Sequence, residues 1–171
     1  MLIAASSFLC MLDYTAHYPS SLGDITLASD GIALTGLWFD GQRHYASTLA
    51  PIYECRPDLP IFDATRRWLD IYFSGRQPDF IPSINLRGTH FRLLVWQMLR
   101  TIPYGRTTTY GDIASRLHCK SAQAVGTAIG HNPISIIIPC HRVLSADGTI
   151  GGYAAGLLRK QALLQLEQSV R

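Results

Sequence analysis

Between residues 13 and 40 the chain alternates apolar and polar positions with the period of a half-buried strand. Tyr14, Ala16 and Tyr18 alternate with polar neighbours, and Ser20-Ser21-Leu22-Gly23 reads as a turn. Asp24 to Ala28 reads as a second strand, Asp30-Gly31 as a hairpin turn, and Ile32 to Phe39 as a third strand closed by Asp40-Gly41. Three strands on short turns predict an antiparallel meander. The apolar lead from Met1 to Leu12 lacks a basic n-region, so it reads as a strand or frayed segment rather than a signal peptide. Residues 51–60 are proline-rich and read as loop. From Ile61 to Ser74 the period becomes helical, through Phe62, Trp68/Leu69 and Tyr72/Phe73, with Gly75 placed to end the helix.

Residues 76–88 hold Pro78, Pro82 and Gly88 without periodicity, and read as a linker between a unit at 1–85 and a unit at 86–171. Thr89 is a candidate N-cap for a helix to Thr101 with Phe91, Val95, Met98/Leu99 and Ile102 on its apolar face, stopped by Pro103-Tyr104-Gly105. Helices follow at Tyr110–Leu117 and Ser121–Gly130, joined by the polar His118-Cys119-Lys120-Ser121, which is a helix-turn-helix pattern. A last helix, Leu157–Gln168, is read with Leu158, Ala162, Leu163/Leu164 and Leu166 inward. The predicted class is α+β: a small N-terminal antiparallel β-sheet plus helix, then a mostly helical C-terminal domain with a winged-helix-like helix-turn-helix.

Composition narrows the partners. The chain has 171 residues, 47% hydrophobic and 16% charged, a globular balance. No apolar run approaches the ~20 residues that span a bilayer, so no membrane partner is expected. Cys10, Cys55, Cys119 and Cys140 are scattered without a C-x-x-C pair, which suits reduced thiols in a cytoplasmic protein and predicts no metal site. Charge is split. Residues 1–85 carry five basic and nine acidic side chains, net −4, and residues 86–171 carry ten and three, net +7. The basic half is a candidate for a polyanion partner, or simply has a solubilising surface. In the helix at 121–130, Ala122, Ala124, Val125, Gly126, Thr127, Ala128 and Gly130 are all small, and Gln123 alone could reach a base edge. Such a helix suits tight core packing, or close approach to a narrow groove.

The stretch Ile136-Ile137-Ile138-Pro139-Cys140-His141-Arg142-Val143 places a thiol and an imidazole after a β-branched run that reads as a buried strand or its end. Proline stops the run because it has no N–H to donate. A free thiol has a pKa of about 8.5, so a nucleophilic cysteine needs a base or a positive environment. His141 is adjacent, but neighbouring side chains on extended backbone point apart. A bridging water is therefore an alternative to direct contact. Glu167 is one of three acids in this half and a candidate to orient the imidazole. A structural cysteine beside a packed histidine is the competing reading.

Pro139-Cys140-His141-Arg142-Val143 resembles the active-site motif of the O6-alkylguanine-DNA alkyltransferases. Phe91-x4-Trp96, Ile102-Pro103-x-Gly105, Thr109-Tyr110, Ala124-Val125-Gly126, Asn132-Pro133, Gly148, Gly151-Gly152-Tyr153 and Leu163-x3-Glu167 follow in the family's order. The resemblance is strong over 86–168, while 13–75 matches in general shape. It implies a protein that acts once, moving a methyl or larger alkyl group from O6-alkylguanine, and from O4-alkylthymine, in double-stranded DNA to Cys140. It further implies base flipping, a monomer and no cofactor. Under it His141 relays the thiol proton through water with Glu167 behind it, Tyr110 donates to the departing guanine, and Asn132 braces the site. Ala122, Gln123, Ala124, Gly126 and Tyr110 would meet DNA, and Val143, Tyr153, Ala154 and Ala155 would line the substrate pocket.

Two departures stand out. Gln123 occupies the position where the family often has an arginine to fill the hole left by the flipped base. Ala154-Ala155, at the pocket wall, predicts room for groups larger than methyl. Cys10 and Cys55 match no ligand positions of the zinc site of some relatives, and Arg142 reads as structural, in an ion pair or backbone contact. The alternative is a non-catalytic alkyltransferase-like lesion binder, which replaces the nucleophile, usually with tryptophan; Cys140 is the discriminating residue. A helix-turn-helix regulator and a cysteine hydrolase are less well matched.

Overall fold

A computed structural model of the chain describes residues 12–168; the lead before Leu12, with Cys10, lies outside the described residues. Strands β1 (Leu12–Tyr18), β2 (Ile25–Ser29) and β3 (Leu34–Phe39) form the expected antiparallel meander. Ala16 lies opposite Leu27, and Leu27 opposite Leu37. Gly23, Gly31 and Gly41 all take positive φ in the turns that the sequence marks. Ile25, Leu27, Leu37 and Phe39 join the core on the face covered by α1 (Pro60–Phe73). Tyr45, from the loop after β3, packs on the other face against Trp38 and hydrogen-bonds Thr26 at 2.8 Å.

The segment at 51–60 is not all loop. Ile52–Cys55 forms β4, parallel to β1, so the sheet order is β3-β2-β1-β4 and the sheet is mixed. All four β4 side chains are exposed, so an edge strand forms with no alternation to betray it.

The outer edge of β3 is where the two halves of the chain join. Leu34 exchanges backbone hydrogen bonds with Ser83 and Asn85, at 2.8 and 2.9 Å. Leu37 does the same with Pro133 and Ser135, both at 2.8 Å. The segment 76–88 is therefore strapped down, and Arg87 adds a two-pronged ion pair to buried Asp13 at 2.8 Å.

In the C-terminal half, α2 (His90–Leu99), α3 (Tyr110–Arg116) and α4 (Ala122–Gly130) start at side-chain caps from Thr89, Thr109 and Ser121. Thr109 and Asp112 complete a capping box. Strands β5 (Thr108–Thr109) and β6 (Val143–Leu144) make a short parallel ladder, and α5 (Leu157–Gln168) closes the chain. Among the described residues no helix is long and apolar enough to cross a membrane.

Three further details differ from the sequence reading. Helix α2 buries Val95, Trp96 and Leu99 and exposes Phe91, because the Trp96 indole N–H donates to the Ala128 carbonyl of α4 at 2.9 Å. Helix α5 buries Lys160, Leu163 and Glu167 and leaves Leu158 84% exposed. Its inward face is the one whose charges find partners. Finally, Ile136-Ile137-Ile138 is a buried turn rather than a strand. Ile138 N–H returns to the Ile134 carbonyl at 3.1 Å, and Ile136 takes a φ of 69°, a strained conformation for a β-branched residue.

Candidate functional site

That strained turn delivers Cys140 as the first residue of a 3-10 turn, Cys140–Arg142. Asn132 fixes the approach with every part of its amide. Its Oδ1 accepts from Ile134 N–H at 3.0 Å, and its Nδ2 donates to the Ile138 carbonyl at 2.8 Å and to Cys140 Sγ at 3.0 Å. Burial pushes the Cys140 thiol above its ordinary pKa, while the Asn132 amide and the Lys160 ammonium pull against that rise. The resting group is a thiol, with a donor already aimed at the sulfur.

His141 is fully buried, and its Nε2 lies 2.7 Å from Glu167 Oε1. Burial lowers the His141 pKa against the pull of Glu167, so the imidazole is neutral near pH 7. An ionised carboxylate only accepts, so Nε2 carries the proton and Nδ1 has the free lone pair. Nδ1 is buried with no protein hydrogen-bond partner. Glu167 is saturated with donors. Tyr72 hydroxyl gives 2.8 Å to Oε1, Arg142 gives 2.9 Å to each oxygen, and Gly105 N–H gives 3.0 Å to Oε2. Burial alone would raise its pKa, but the His141 and Arg142 hydrogen bonds prevail and hold the carboxyl at about 2. Arg142 is spent on this network and on the Ile102 carbonyl, at 2.7 Å.

Behind the thiol stands a second buried charge. Lys160 Nζ donates to the carbonyls of Val143, Gly151 and Gly152 at 2.6, 3.1 and 3.4 Å, and burial lowers its pKa to about 8. It ties the 151–152 loop to β6. Tyr110 lies between α4 and that loop. A Cβ on Gly126 would stand 3.7 Å from its ring, and one on Gly151 only 3.0 Å, close enough that the ring would have to give by a few tenths of an ångström. The Tyr110 hydroxyl donates to the Gly152 carbonyl at 3.2 Å. Burial, and then Cys140, raise the Tyr110 pKa, and in the same order they raise that of Tyr153 well above 10. The Tyr153 hydroxyl is buried without a geometrically formed hydrogen bond.

Cys140 opens onto a cleft of about 860 Å³ that Tyr110, Ala122, Gln123, Gly126, Tyr153 and Ala154 also line. Ala124 is exposed on α4 but outside the cleft wall. Val143 and Ala155 are buried behind it and do not line it, so Ala154 alone of the alanine pair forms wall. On α4 only Val125, Ala128 and Ile129 are buried; Ala122, Gln123, Ala124 and Thr127 face out, which removes the core-helix reading. Cys55, Cys119 and Cys140 are free thiols, and no cluster of three or more potential metal ligands occurs among the described residues.

Sequence reasoning missed Lys160, Tyr72, Arg43 and His44. With Glu167 turned inward, Leu163 and Lys160 fall on the same helical face, so a signal for Lys160 existed. Tyr72 reaches Glu167 from the other half of the chain, and nothing local announces that contact.

Two family models match the chain: the ribonuclease-like domain of 6-O-methylguanine DNA methyltransferase over residues 14–86, and its DNA binding domain over residues 90–169. The methylated-DNA–protein-cysteine methyltransferase of Mycobacterium tuberculosis is 44% identical over 157 residues, 90% of this chain and 93% of that protein. The Haemophilus influenzae protein of the same name is 41% identical, over 91% of this chain and 86% of its own. Among solved structures, Mycobacterium tuberculosis OGT in complex with DNA superposes with a TM-score of 0.80 at 42% identity, covering 92% of this chain and 93% of that one. An O6-methylguanine DNA methyltransferase from Methanococcus jannaschii gives 0.63 at 27% identity, over 90% and 93%.

Proposed function

This chain belongs to the 6-O-methylguanine DNA methyltransferase family, and from that premise we propose that it repairs O6-alkylguanine in double-stranded DNA by one transfer of the alkyl group to its own Cys140. It is a DNA-repair methyltransferase; the lesion, the duplex and the acting residues are the parts proposed. The observation that carries them is a buried thiol at the floor of a cleft walled by α4, with Asn132 on its sulfur and a neutral His141 backed by Glu167 beside it.

A thiol whose pKa is raised needs a base at the moment of attack. His141 Nδ1 is the free base in the turn, and a water between it and Sγ would carry the proton. Sulfur then bonds to the alkyl carbon, the bond from that carbon to O6 breaks, and the electron pair passes into the guanine. The thiol proton passes through that water to His141, and the departing guanine anion takes up a proton from solvent as it leaves. Tyr110 stays protonated at neutral pH, so it can donate to the guanine as negative charge grows there. Asn132 holds the sulfur in line, and Glu167 keeps the tautomer of His141.

The flipped base would enter beside Tyr110 and Tyr153, under the exposed small residues of α4. Gln123 would stand where the base left the stack. It lacks the charge and planar fork of arginine, so it supports flipping by hydrogen bonding alone. Ala154 leaves the wall low enough for alkyl groups larger than methyl. The product is a thioether, which no group in the site is placed to cleave, so each monomer acts once.

Intact-mass and peptide mass spectrometry after mixing with a duplex containing O6-methylguanine checks this directly. One methyl adduct per chain, on Cys140 and lost in Cys140→Ala, is expected. Repeated turnover, or an adduct on another residue, sinks the assignment.

A further inference from the structure

A pair of histidines joins the halves of the chain at the rim of the cleft and takes no part in the chemistry above. His44 lies in the loop after β3, and His131 caps the end of α4. Their rings stack with centroids 3.8 Å apart and planes 24° apart. His131 Nδ1–H donates to the Thr127 carbonyl at 2.8 Å, which leaves its Nε2 open. His44 takes a φ of 59°, uncommon for a residue other than glycine, and the loop is pinned to the opposite wall by Arg43 N–H donating to the Ala154 carbonyl at 2.9 Å.

The charged groups acting on His44 are His131, Arg43 and Arg92, and none is an acid. Neither Arg43 nor Arg92 has an acidic partner among the described residues. Basic side chains from a loop of the N-terminal half, from α2 and from the end of α4 thus converge without a counter-ion. Burial, then these neighbours, lower the His44 pKa, so the His44 ring rests neutral near pH 7, and an anion set beside it would favour the charged form.

We propose that Arg43, His44, Arg92 and His131 form a phosphate-binding rim, built across both halves, that grips the backbone of the bound duplex and takes up a proton as it does so. The proposal rests on the DNA-repair reading and adds the N-terminal half to the DNA interface. At ~1.5 Å per residue His131 lies about 12 Å along α4 from Gln123. The rim would therefore meet phosphates about three to four steps of 3.4 Å from the point of base entry.

Fluorescence anisotropy of a labelled undamaged duplex, across a salt series at about pH 8 and about pH 5.5, tests the rim. For the wild type the log–log salt slope should steepen by about 0.9 for each additional phosphate that the protein neutralises at the lower pH. His44→Gln should lose that added steepening. His44→Lys, which keeps a charge without an imidazole, should show the steep slope at both pH values. Histidines away from the stack are common to all three proteins, so the differences among the three report on the rim. If the wild type methylates Cys140 and binds duplex but all three proteins share one slope at each pH, the rim is overturned and the repair reading stands. If the wild type shows neither transfer nor salt-dependent binding, both fall.

Discussion

Helices α4 and α5 reverse the usual relation between composition and burial. Helix α4 is made almost wholly of small and apolar residues, yet Ala122, Gln123, Ala124 and Thr127 face outward. Helix α5 is more polar, exposes Leu157 and Leu158, and buries Lys160 and Glu167. An exposed face without long side chains costs little and lets another surface come close. A buried charge is costly unless its partners are complete. Glu167 meets this condition with donors from Tyr72, Gly105, His141 and Arg142, and Lys160 with three carbonyls. The face of a helix that turns inward is thus chosen by what waits there, and composition alone misleads in opposite directions for the two.

Glu167→Gln should break this arrangement most severely. It leaves the Arg142 guanidinium buried without its counter-charge, which costs about 3–5 kcal/mol. The carboxyl sits at about 2 in the fold against an ordinary 4.5, a depressed value. Its contribution is therefore present above pH 4.5 and lost as pH falls from there to 2, by about 3 kcal/mol at ~1.4 kcal/mol per unit. His141 acts in the same direction: with its pKa lowered from 6.5, the unfolded chain takes the proton first and stability declines as pH falls below that value. Urea unfolding across the acid range should show the Glu167 limb in the wild type and not in Glu167→Gln. Parallel curves for the two would mean that the carboxylate is not the keystone of the network.

Lys160→Met should cost less, about 1–3 kcal/mol, because its partners are neutral carbonyls and the desolvation of the ammonium is relieved. Here the sign runs toward alkali. The folded pKa of about 8 lies below the ordinary 10.5, so the unfolded chain binds more protons between these values and wild-type stability rises with pH through that window. The rise should vanish in Lys160→Met. Methyl transfer from DNA should fall further than alkylation of Cys140 by a small haloalkane, since the lysine holds the 151–152 loop as well as acting on the sulfur through its charge. Equal losses in the two reactions would contradict that role.

The elements that sequence reveals and those it hides differ for physical reasons. The meander is legible because Gly23, Gly31 and Gly41 sit where the turns demand positive φ. The starts of α2, α3 and α4 are legible because Thr89, Thr109 and Ser121 cap them. Strand β4 is hidden because its side chains all face solvent. Ile136–Ile138 misleads because an unbroken apolar run reports burial and not conformation. At the site, Cys140, His141, Asn132 and Glu167 follow from motif and resemblance, and the structure brings them together. Tyr72 and His44 do not follow, since their partners lie in the other half of the chain and leave no local pattern.

The smallest effect is expected on α4. Gly126 lies mid-helix and lines the cleft, and a Cβ there would meet the Tyr110 ring at 3.7 and 3.8 Å, ordinary contact distances. Gly126→Ala should therefore fit, and helix propensity should raise stability by about 0.5–1 kcal/mol. If the exposed small residues serve close approach to DNA, the same methyl group should weaken duplex binding. Thermal melting and anisotropy on one sample separate the outcomes. A more stable protein with weaker binding supports the reading of α4 as a contact surface. A more stable protein with unchanged binding makes its small residues incidental to DNA.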